Sequence, residues 1–76
     1  MATRLDITHE VCPMTFVRVK LALEQLNPGD ELEVRLKGDE PLRNVPKSAA
    51  EEGHEVLSLE PNGDGTHLLR LKVQHD

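Results

Sequence analysis

Apolar and polar residues alternate along several short segments of the chain, and this two-residue period predicts β-strands. Residues 31–37 show it most clearly, because Leu32, Val34 and Leu36 fall on one face and four charged side chains fall on the other. Such a segment is typical of a strand with one buried face and one face in water. This pattern and the turn-forming residues between segments predict four strands, over residues 4–8, 31–37, 54–60 and 66–74.

Between residues 14 and 26 the alternation gives way to a three- and four-residue spacing, which predicts a helix. Its apolar row contains Phe16, Val19, Leu23 and Leu26. Pro13 fits the first helical position, because proline supplies a helical φ and lacks an N–H that the first turn would leave unpaired. Cys12 then becomes the residue that precedes the helix.

A second helix is predicted over residues 41–52, with Pro41 at its first position and Gly38-Asp39-Glu40 as the preceding turn and cap. Pro46 should either kink this helix or start its main part. Gly53 is a natural residue to end it. The helix is therefore expected to be less regular than the first.

The predicted order of elements is β-α-β-α-β-β, and the last two strands form a hairpin. Two helices on one face of a four-stranded mixed sheet would bury every apolar row and leave the charged strand faces in water. We therefore expect a two-layer α/β sandwich. A chain of 76 residues has room for one modest core, so residues 1–76 are expected to form a single domain.

The composition limits the classes of function. Fourteen acidic and nine basic residues give a net charge of −5, and Phe16 is the sole aromatic residue. A nucleic-acid binder needs a basic surface, and a single-strand binder also needs aromatic stacking platforms, so no nucleic-acid partner is expected. The chain shows no signal peptide and no apolar run of membrane-spanning length. We expect a cytoplasmic protein that binds no membrane and is a monomer.

Cys12 is the only cysteine of the chain. It can form no intrachain disulfide, which favours a reducing compartment. At a helix N-terminus the unpaired N–H groups and the macrodipole stabilise a thiolate and lower the pKa of a cysteine. Cys12 is therefore predicted to be an exposed nucleophile. The alternative is a cysteine packed in the core, where free cysteines are common.

Several segments resemble the TusA-like (SirA-like) family of small sulfur carriers. Leu5-Asp6 lies at the family's spacing before Cys12-Pro13. Residues 27–32, Asn-Pro-Gly-Asp-Glu-Leu, resemble its Pro-Gly turn into a strand, and residues 53–56, Gly-His-Glu-Val, resemble its entry into the third strand. The resemblance runs nearly end to end.

The chain departs from the family pattern at three places. Thr15 stands where a second proline is usual, so that Cys-Pro-Met-Thr replaces Cys-Pro-x-Pro, and His9 stands where a glycine is common. The stretch between Pro41 and Pro46 is shorter than the family's spacing. These positions lie around the reactive loop and the second helix, where partners would dock.

The resemblance implies that Cys12 carries sulfane sulfur as a persulfide, with Pro13 as its structural companion. In the family the sulfur comes from a cysteine desulfurase or another sulfurtransferase and passes to an acceptor protein. Such relays serve tRNA thiolation, molybdenum-cofactor enzymes or sulfur oxidation. No cofactor of this chain is expected, because the partners bring the pyridoxal cofactor or the activated acceptor.

Four neighbours of Cys12 could affect its thiol. His9 could donate a hydrogen bond or a positive charge, or it could be solvated. Thr15 could reach the sulfur, although a bond to the backbone is the commoner use of such a hydroxyl. Glu10 would oppose activation, because a nearby negative charge raises the pKa of a thiol. Met14 could shield the thiol with apolar surface or fill the core.

Three further points concern metal binding, a rival function and the basic side chains of the helices. His9 and Cys12 have a spacing compatible with two metal ligands, but a zinc site needs three or four, so no metal is expected. The rival of a sulfur carrier is a non-catalytic interaction or regulatory module on the same fold, with Cys12 buried or incidental. Four basic side chains on the two helices could steer an acidic partner or be ordinary solvated positions: Arg18, Lys20, Arg43 and Lys47.

Overall fold

Two helices pack on one face of a four-stranded mixed sheet. The computed structural model describes residues 2–11 and 14–74. In chain order the elements are β1 (Ala2–Asp6), α1 (Met14–Gln25), β2 (Glu31–Lys37), α2 (Asp39–Glu51), β3 (Glu55–Pro61) and β4 (Thr66–Lys72). The strand order is β1-β2-β4-β3, in which β1 and β2 are parallel and the other two pairs are antiparallel. The predicted β-α-β-α-β-β order and α/β class are confirmed.

The core lies between the sheet and the helices. Leu32, Val34 and Leu36 of β2 are fully buried, as the alternation predicted. In the register of the central strands Leu32 is paired with Leu71 and Val34 with Leu69, so the apolar faces of β2 and β4 coincide. Burying each such side chain contributes about 1.5–3 kcal/mol. Ile7 and Val73 and four helical residues, Val19, Leu23, Val45 and Ala49, complete the core.

Three strands differ from their predicted bounds. β1 covers residues 2–6 instead of 4–8, because the chain turns where the Asp6 carboxylate accepts hydrogen bonds from the N–H and hydroxyl of Thr8. β3 covers residues 55–61 instead of 54–60, since Pro61 still pairs with His67. β4 ends at Lys72 instead of 74, where Val73 exchanges two hydrogen bonds with the α1–β2 turn. α1 stops at Gln25, one residue before the predicted end.

The start of α2 corrects a prediction. The helix begins at Asp39, not Pro41, and Gly38 is its N-cap with no side-chain cap bond. Asp39 and Glu40 therefore lie inside the first turn, where acidic side chains favour the helix dipole. Gly38 has a φ of 101°, a conformation that glycine adopts without strain. The helix continues through Pro46.

The expectation that every apolar row would be buried is wrong for β3. Val56 and Leu59 of β3 are each 38% exposed, because β3 is an edge strand of the sheet. A register shift between Val56 and Ser58 also interrupts its alternation and leaves Leu57 exposed. On α1, Met14 and Val17 are exposed, and so is Leu21 at the same helical spacing. No helix of the described residues is long and apolar enough to cross a membrane.

Candidate functional site

The strand directions bring the segment that leads to Cys12 to one end of the molecule. The C-terminal ends of β1 and β2 and the start of α2 lie there, together with the turn that joins β3 to β4. We call this the Cys12 end, defined by residues 6–11, 35–40 and 61–66. Cys12 and Pro13, the principal predicted site residues, lie outside the described residues. Their neighbours on both sides are described.

The residues that flank Cys12 and Pro13 are held by backbone hydrogen bonds. Ile7 is buried and its N–H donates to the carbonyl oxygen of Arg35 at 2.9 Å, which fixes the start of the segment. The N–H of Glu10 donates to the Ile7 carbonyl at 3.1 Å, and the N–H of Met14 donates to the Val11 carbonyl at 2.7 Å. Val11 is 75% exposed and Met14 is 42% exposed. The described residues on either side of positions 12 and 13 are therefore at the surface.

The side chains predicted to assist Cys12 lie in different environments. His9 is exposed in a turn of the segment before Cys12. Thr15 is fully buried, and no buried side-chain nitrogen or oxygen among the described residues lacks a hydrogen-bond partner, its hydroxyl included. Glu10 lies 3.4 Å from the Nε of Arg18, so its negative charge is partly balanced. Met14 is at the surface and does not fill the core, which leaves its shielding role as a prediction.

A polar cluster at this end was missed by the sequence analysis. The guanidinium of Arg35 lies between two carboxylates: Nη1 is 3.6 Å from Asp6 Oδ2, and Nη2 donates to Asp64 Oδ2 at 2.8 Å. Its Nε donates to the hydroxyl of Thr66 at 3.4 Å. Asp6 in turn accepts from the N–H of Thr8 at 2.9 Å and from its hydroxyl at 2.6 Å. We call Asp6, Thr8, Arg35, Asp64 and Thr66 the Arg35 network.

The turn between β3 and β4 repeats the same local arrangement. Asp64 accepts from the N–H of Thr66 at 3.0 Å and from its hydroxyl, while Asn62 Nδ2 donates to that hydroxyl at 3.0 Å. The hydroxyl thus donates once and accepts from Asn62 and Arg35, which uses its full hydrogen-bonding capacity. The signal in the sequence is an Asp-x-Thr pattern that occurs at residues 6–8 and again at 64–66. In both, the carboxylate closes a turn on the residue two positions later.

Both carboxylates of the network favour their charged forms. Hydrogen bonds from Thr66, and then the Arg35 guanidinium, lower the pKa of Asp64 to about 2. Hydrogen bonds from Thr8 lower the pKa of Asp6, with smaller contributions from the charges of Arg35 and His9. The network therefore holds two negative charges around one positive charge at neutral pH.

The basic side chains of the helices are exposed. Arg18 pairs with Glu10, and Lys20 Nζ lies 4.0 Å from Glu52 Oε1, while Arg43 and Lys47 are on the solvent side of α2. Surface pairs of this kind contribute little to stability. Among the described residues no group of three or more His, Cys, Asp or Glu side chains could hold a metal ion.

Comparison with known proteins places the chain in a family. The family model described as "Sulfurtransferase TusA" matches residues 3–73. A protein of Archaeoglobus fulgidus is 48% identical over 68 residues, which cover 90% of this chain and 77% of that protein. A Thermotoga maritima protein is 36% identical over 70 residues, covering 92% of this chain and 89% of its own. Both are named "putative sulfur carrier protein".

A solved structure agrees with the fold. The crystal structure of the SirA-like protein of Desulfitobacterium hafniense superposes with a TM-score of 0.82, covering 99% of this chain and all of that chain, at 24% identity. This likeness supports the architecture of two helices on a four-stranded sheet. The match over residues 3–73 and the two relatives named as putative sulfur carriers show that the chain belongs to the TusA family of sulfur carriers.

Proposed function

We propose that the protein carries sulfane sulfur as a persulfide on Cys12, taking it from a donor protein and passing it to an acceptor protein. The observation that carries the proposal is the family match, which spans residues 3–73 and includes the only cysteine of the chain. Among the twenty residue types only cysteine supplies a thiolate that can store and release sulfur in this way. Pro13 is proposed as the residue that starts the helix behind it.

The proposed loading step is an exchange between sulfur atoms. The Cys12 thiolate attacks the outer sulfur of a persulfide on the donor, so a sulfur–sulfur bond forms on Cys12 as the donor's sulfur–sulfur bond breaks. The donor leaves as a thiolate, and the transferred sulfur keeps its hydrogen and its oxidation state. Charge and electrons balance without any added oxidant. In the second step the acceptor's nucleophile attacks the same outer sulfur and Cys12 leaves as a thiolate.

The surroundings described at the Cys12 end support this proposal. Val11 and Met14, which flank the dipeptide Cys12-Pro13, are both exposed, so two partners in succession could approach. No resolving cysteine exists in the chain to discharge the persulfide as an internal disulfide. A cysteine desulfurase is proposed as one donor class. A reducing compartment such as the cytoplasm would suit the free thiol.

The test is the intact mass of the protein after incubation with a cysteine desulfurase and cysteine. We expect a gain of one sulfur atom that dithiothreitol removes, and no gain on the Cys12→Ser variant. Ser is well tolerated before a helix, so this variant should unfold at the same urea concentration within error. The control separates loss of chemistry from loss of fold.

Two results would contradict the proposal. One is the absence of any sulfur on the wild-type protein with several sulfurtransferase donors, although alkylation shows that the thiol is free. The other is unfolding of the Cys12→Ser variant, which would assign Cys12 to the core. Either would favour the alternative of a non-catalytic interaction or regulatory module.

A further inference from the structure

We propose that Arg35 is a positioning residue for sulfur transfer, which links the end of β1, from which the segment Ile7–Val11 leads, to the β3–β4 turn and so fixes the approach to Cys12. The inference deepens the proposed function and rests on it, since it concerns the same thiol. Arg35 itself is on β2, is remote from Cys12 in sequence, and is assigned no contact with sulfur. It acts through Asp6 and the turn that Asp6 closes.

The side chain of Arg35 adds a polar link between the end of β1 and the β3–β4 turn, beside the backbone pairing of the sheet. Its three nitrogens approach Asp6 at the end of β1, Asp64 in the β3–β4 turn and Thr66 at the start of β4. A guanidinium suits this position because it is planar and presents its donors in a rigid fork. In the sheet Arg35 pairs with Asp6 on one side and Leu68 on the other, which places it between the two turns.

The segment that leads to Cys12 depends on these polar contacts for its direction. Ile7 is its buried anchor, but Val11 and His9 are exposed and supply little packing. The turn at Asp6 and Thr8 sets the course of the chain just before those exposed residues. A shift of the Asp6 carboxylate would therefore be transmitted to the residues that precede Cys12.

Removal of the Arg35 charge would disturb that carboxylate. Asp6 and Asp64 both face the guanidinium, and both are ionised at neutral pH, as carboxylates with pKa values at or below 3.8 are. Without the positive charge the two carboxylates would repel each other, and the end of β1 at Asp6 would shift relative to the β3–β4 turn.

Removal of the Arg35 charge should lower the rate of sulfur transfer more than it lowers the free energy of unfolding. Arg35, Asp6 and Asp64 are each about half exposed, and exposed ion pairs add little to the free energy of unfolding. Transfer between two sulfur atoms needs the attacking, transferred and leaving atoms in a defined arrangement, and misplacement by about 1 Å can cost up to ~100-fold in rate. A positioning role therefore predicts a loss of rate without a matching loss of stability.

The variants that test this are R35M, R35K and R70M. Met keeps the length and apolar stem of Arg35 without its charge, and Lys restores a charge. Arg70 is the matched control, because it lies with Arg35 on the open face of the sheet, which is the face that the helices do not cover. Its side chain is 48% exposed, against 45% for Arg35, and its Nη2 lies 3.8 Å from Glu31 Oε1. It contacts no member of the network among the described residues.

Two measurements read the role of Arg35 separately. The rate of persulfide loading at saturating donor should fall about five- to tenfold in R35M, recover in part in R35K and stay within about twofold in R70M. The donor concentration for half-maximal rate should not change. Hydrogen exchange at the amides of Thr8 and Glu10 should accelerate in R35M and stay unchanged in R70M. Melting temperatures of R35M and R70M should agree within about 4 °C.

Three other outcomes would each contradict one part of the proposed role of Arg35. Unchanged exchange in R35M would show that Arg35 does not hold the segment. Faster exchange with an unchanged rate would show that holding the segment does not serve transfer. A raised half-saturating donor concentration would make Arg35 a docking residue instead. If the wild-type protein takes up no sulfur, the proposed function fails and the positioning role fails with it, whereas the exchange data still report on the network.

Discussion

The two ends of the sheet are connected in different ways. At the end opposite Cys12, the turn between α1 and β2 is tied to β4 by two backbone hydrogen bonds: Gly29 N–H to the Val73 carbonyl and Val73 N–H to the Asp30 carbonyl, both 2.8 Å. At the Cys12 end, the β3–β4 turn is tied to the end of β1 through the side chain of Arg35. Backbone bonds are available to any sequence, whereas a side-chain link depends on residue type and charge.

This difference suggests that substitutions at the two ends should affect stability and persulfide loading differently. The backbone link uses no side chain, although it needs the positive φ that Gly29 supplies. The side-chain link can be weakened by one substitution or by acid without loss of the core.

The largest effect should come from the core at the Cys12 end, not from the network beside it. Leu36→Ala removes a fully buried side chain near the C-terminal end of β2 and should lower the free energy of unfolding by about 2–5 kcal/mol, measured by urea titration. Leu21→Ala is the control, because Leu21 is 51% exposed on α1 and should cost less than about 1 kcal/mol. Equal costs for the two variants would refute the assigned core.

The next effect compares one glycine at each end. Gly29 has φ 94° and Gly63 has φ 85°, and neither has an atom within 4 Å of where a Cβ would lie. Alanine at either position should cost about 1–2 kcal/mol of stability from backbone strain alone. Gly63→Ala should also slow persulfide loading, because Gly63 is next to Asp64 in the β3–β4 turn, while Gly29→Ala should not. Equal loading rates in the two variants would count against this difference between the ends.

The pattern of the sequence was sufficient for the architecture. Strict alternation in β2 predicted its bounds and buried face, because a central strand with one wet face imposes a period of two. It was not sufficient for β3, where similar apolar residues lie at an edge and remain partly exposed. Whether a strand is central or at an edge depends on strand order, which local pattern does not contain.

The candidate site could be predicted only in part. Cys12 stands out by its uniqueness and its neighbour Pro13, and the chemistry proposed for it rests on the family resemblance. Arg35 does not stand out, since it is one of several charged residues on the polar face of β2. Its role depends on the register that pairs it with Asp6 and on the turn that brings Asp64 to the same place. Both are long-range features of the folded chain.

A pH experiment should show that the ionised carboxylate of Asp64 stabilises the Cys12 end, through its hydrogen bonds from Thr66 and, to a smaller extent, through Arg35. The folded pKa of Asp64 is about 2, below its ordinary value of 3.8, so its contribution to stability is complete above pH 4 and is lost as the pH falls toward 2. Asp64→Asn should therefore reduce the pH dependence of the urea midpoint between pH 4 and pH 2. Glu60→Gln removes another exposed carboxylate of the open face, for which the described residues provide no bond or ion pair, and should leave that dependence unchanged.

The smallest effect should come from one hydroxyl at the start of the segment that leads to Cys12. Thr8→Val removes the 2.6 Å bond from the hydroxyl to Asp6 but keeps the 2.9 Å bond from the N–H, so the turn loses one of two contacts. We expect a loss of stability below about 1 kcal/mol and a decrease in loading rate of roughly twofold, both restored in Thr8→Ser. Thr3→Val, an exposed position on β1, should change neither quantity. A decrease as large as that of R35M would mean that the Asp6 turn alone sets the segment and that the link to the β3–β4 turn through Arg35 adds nothing.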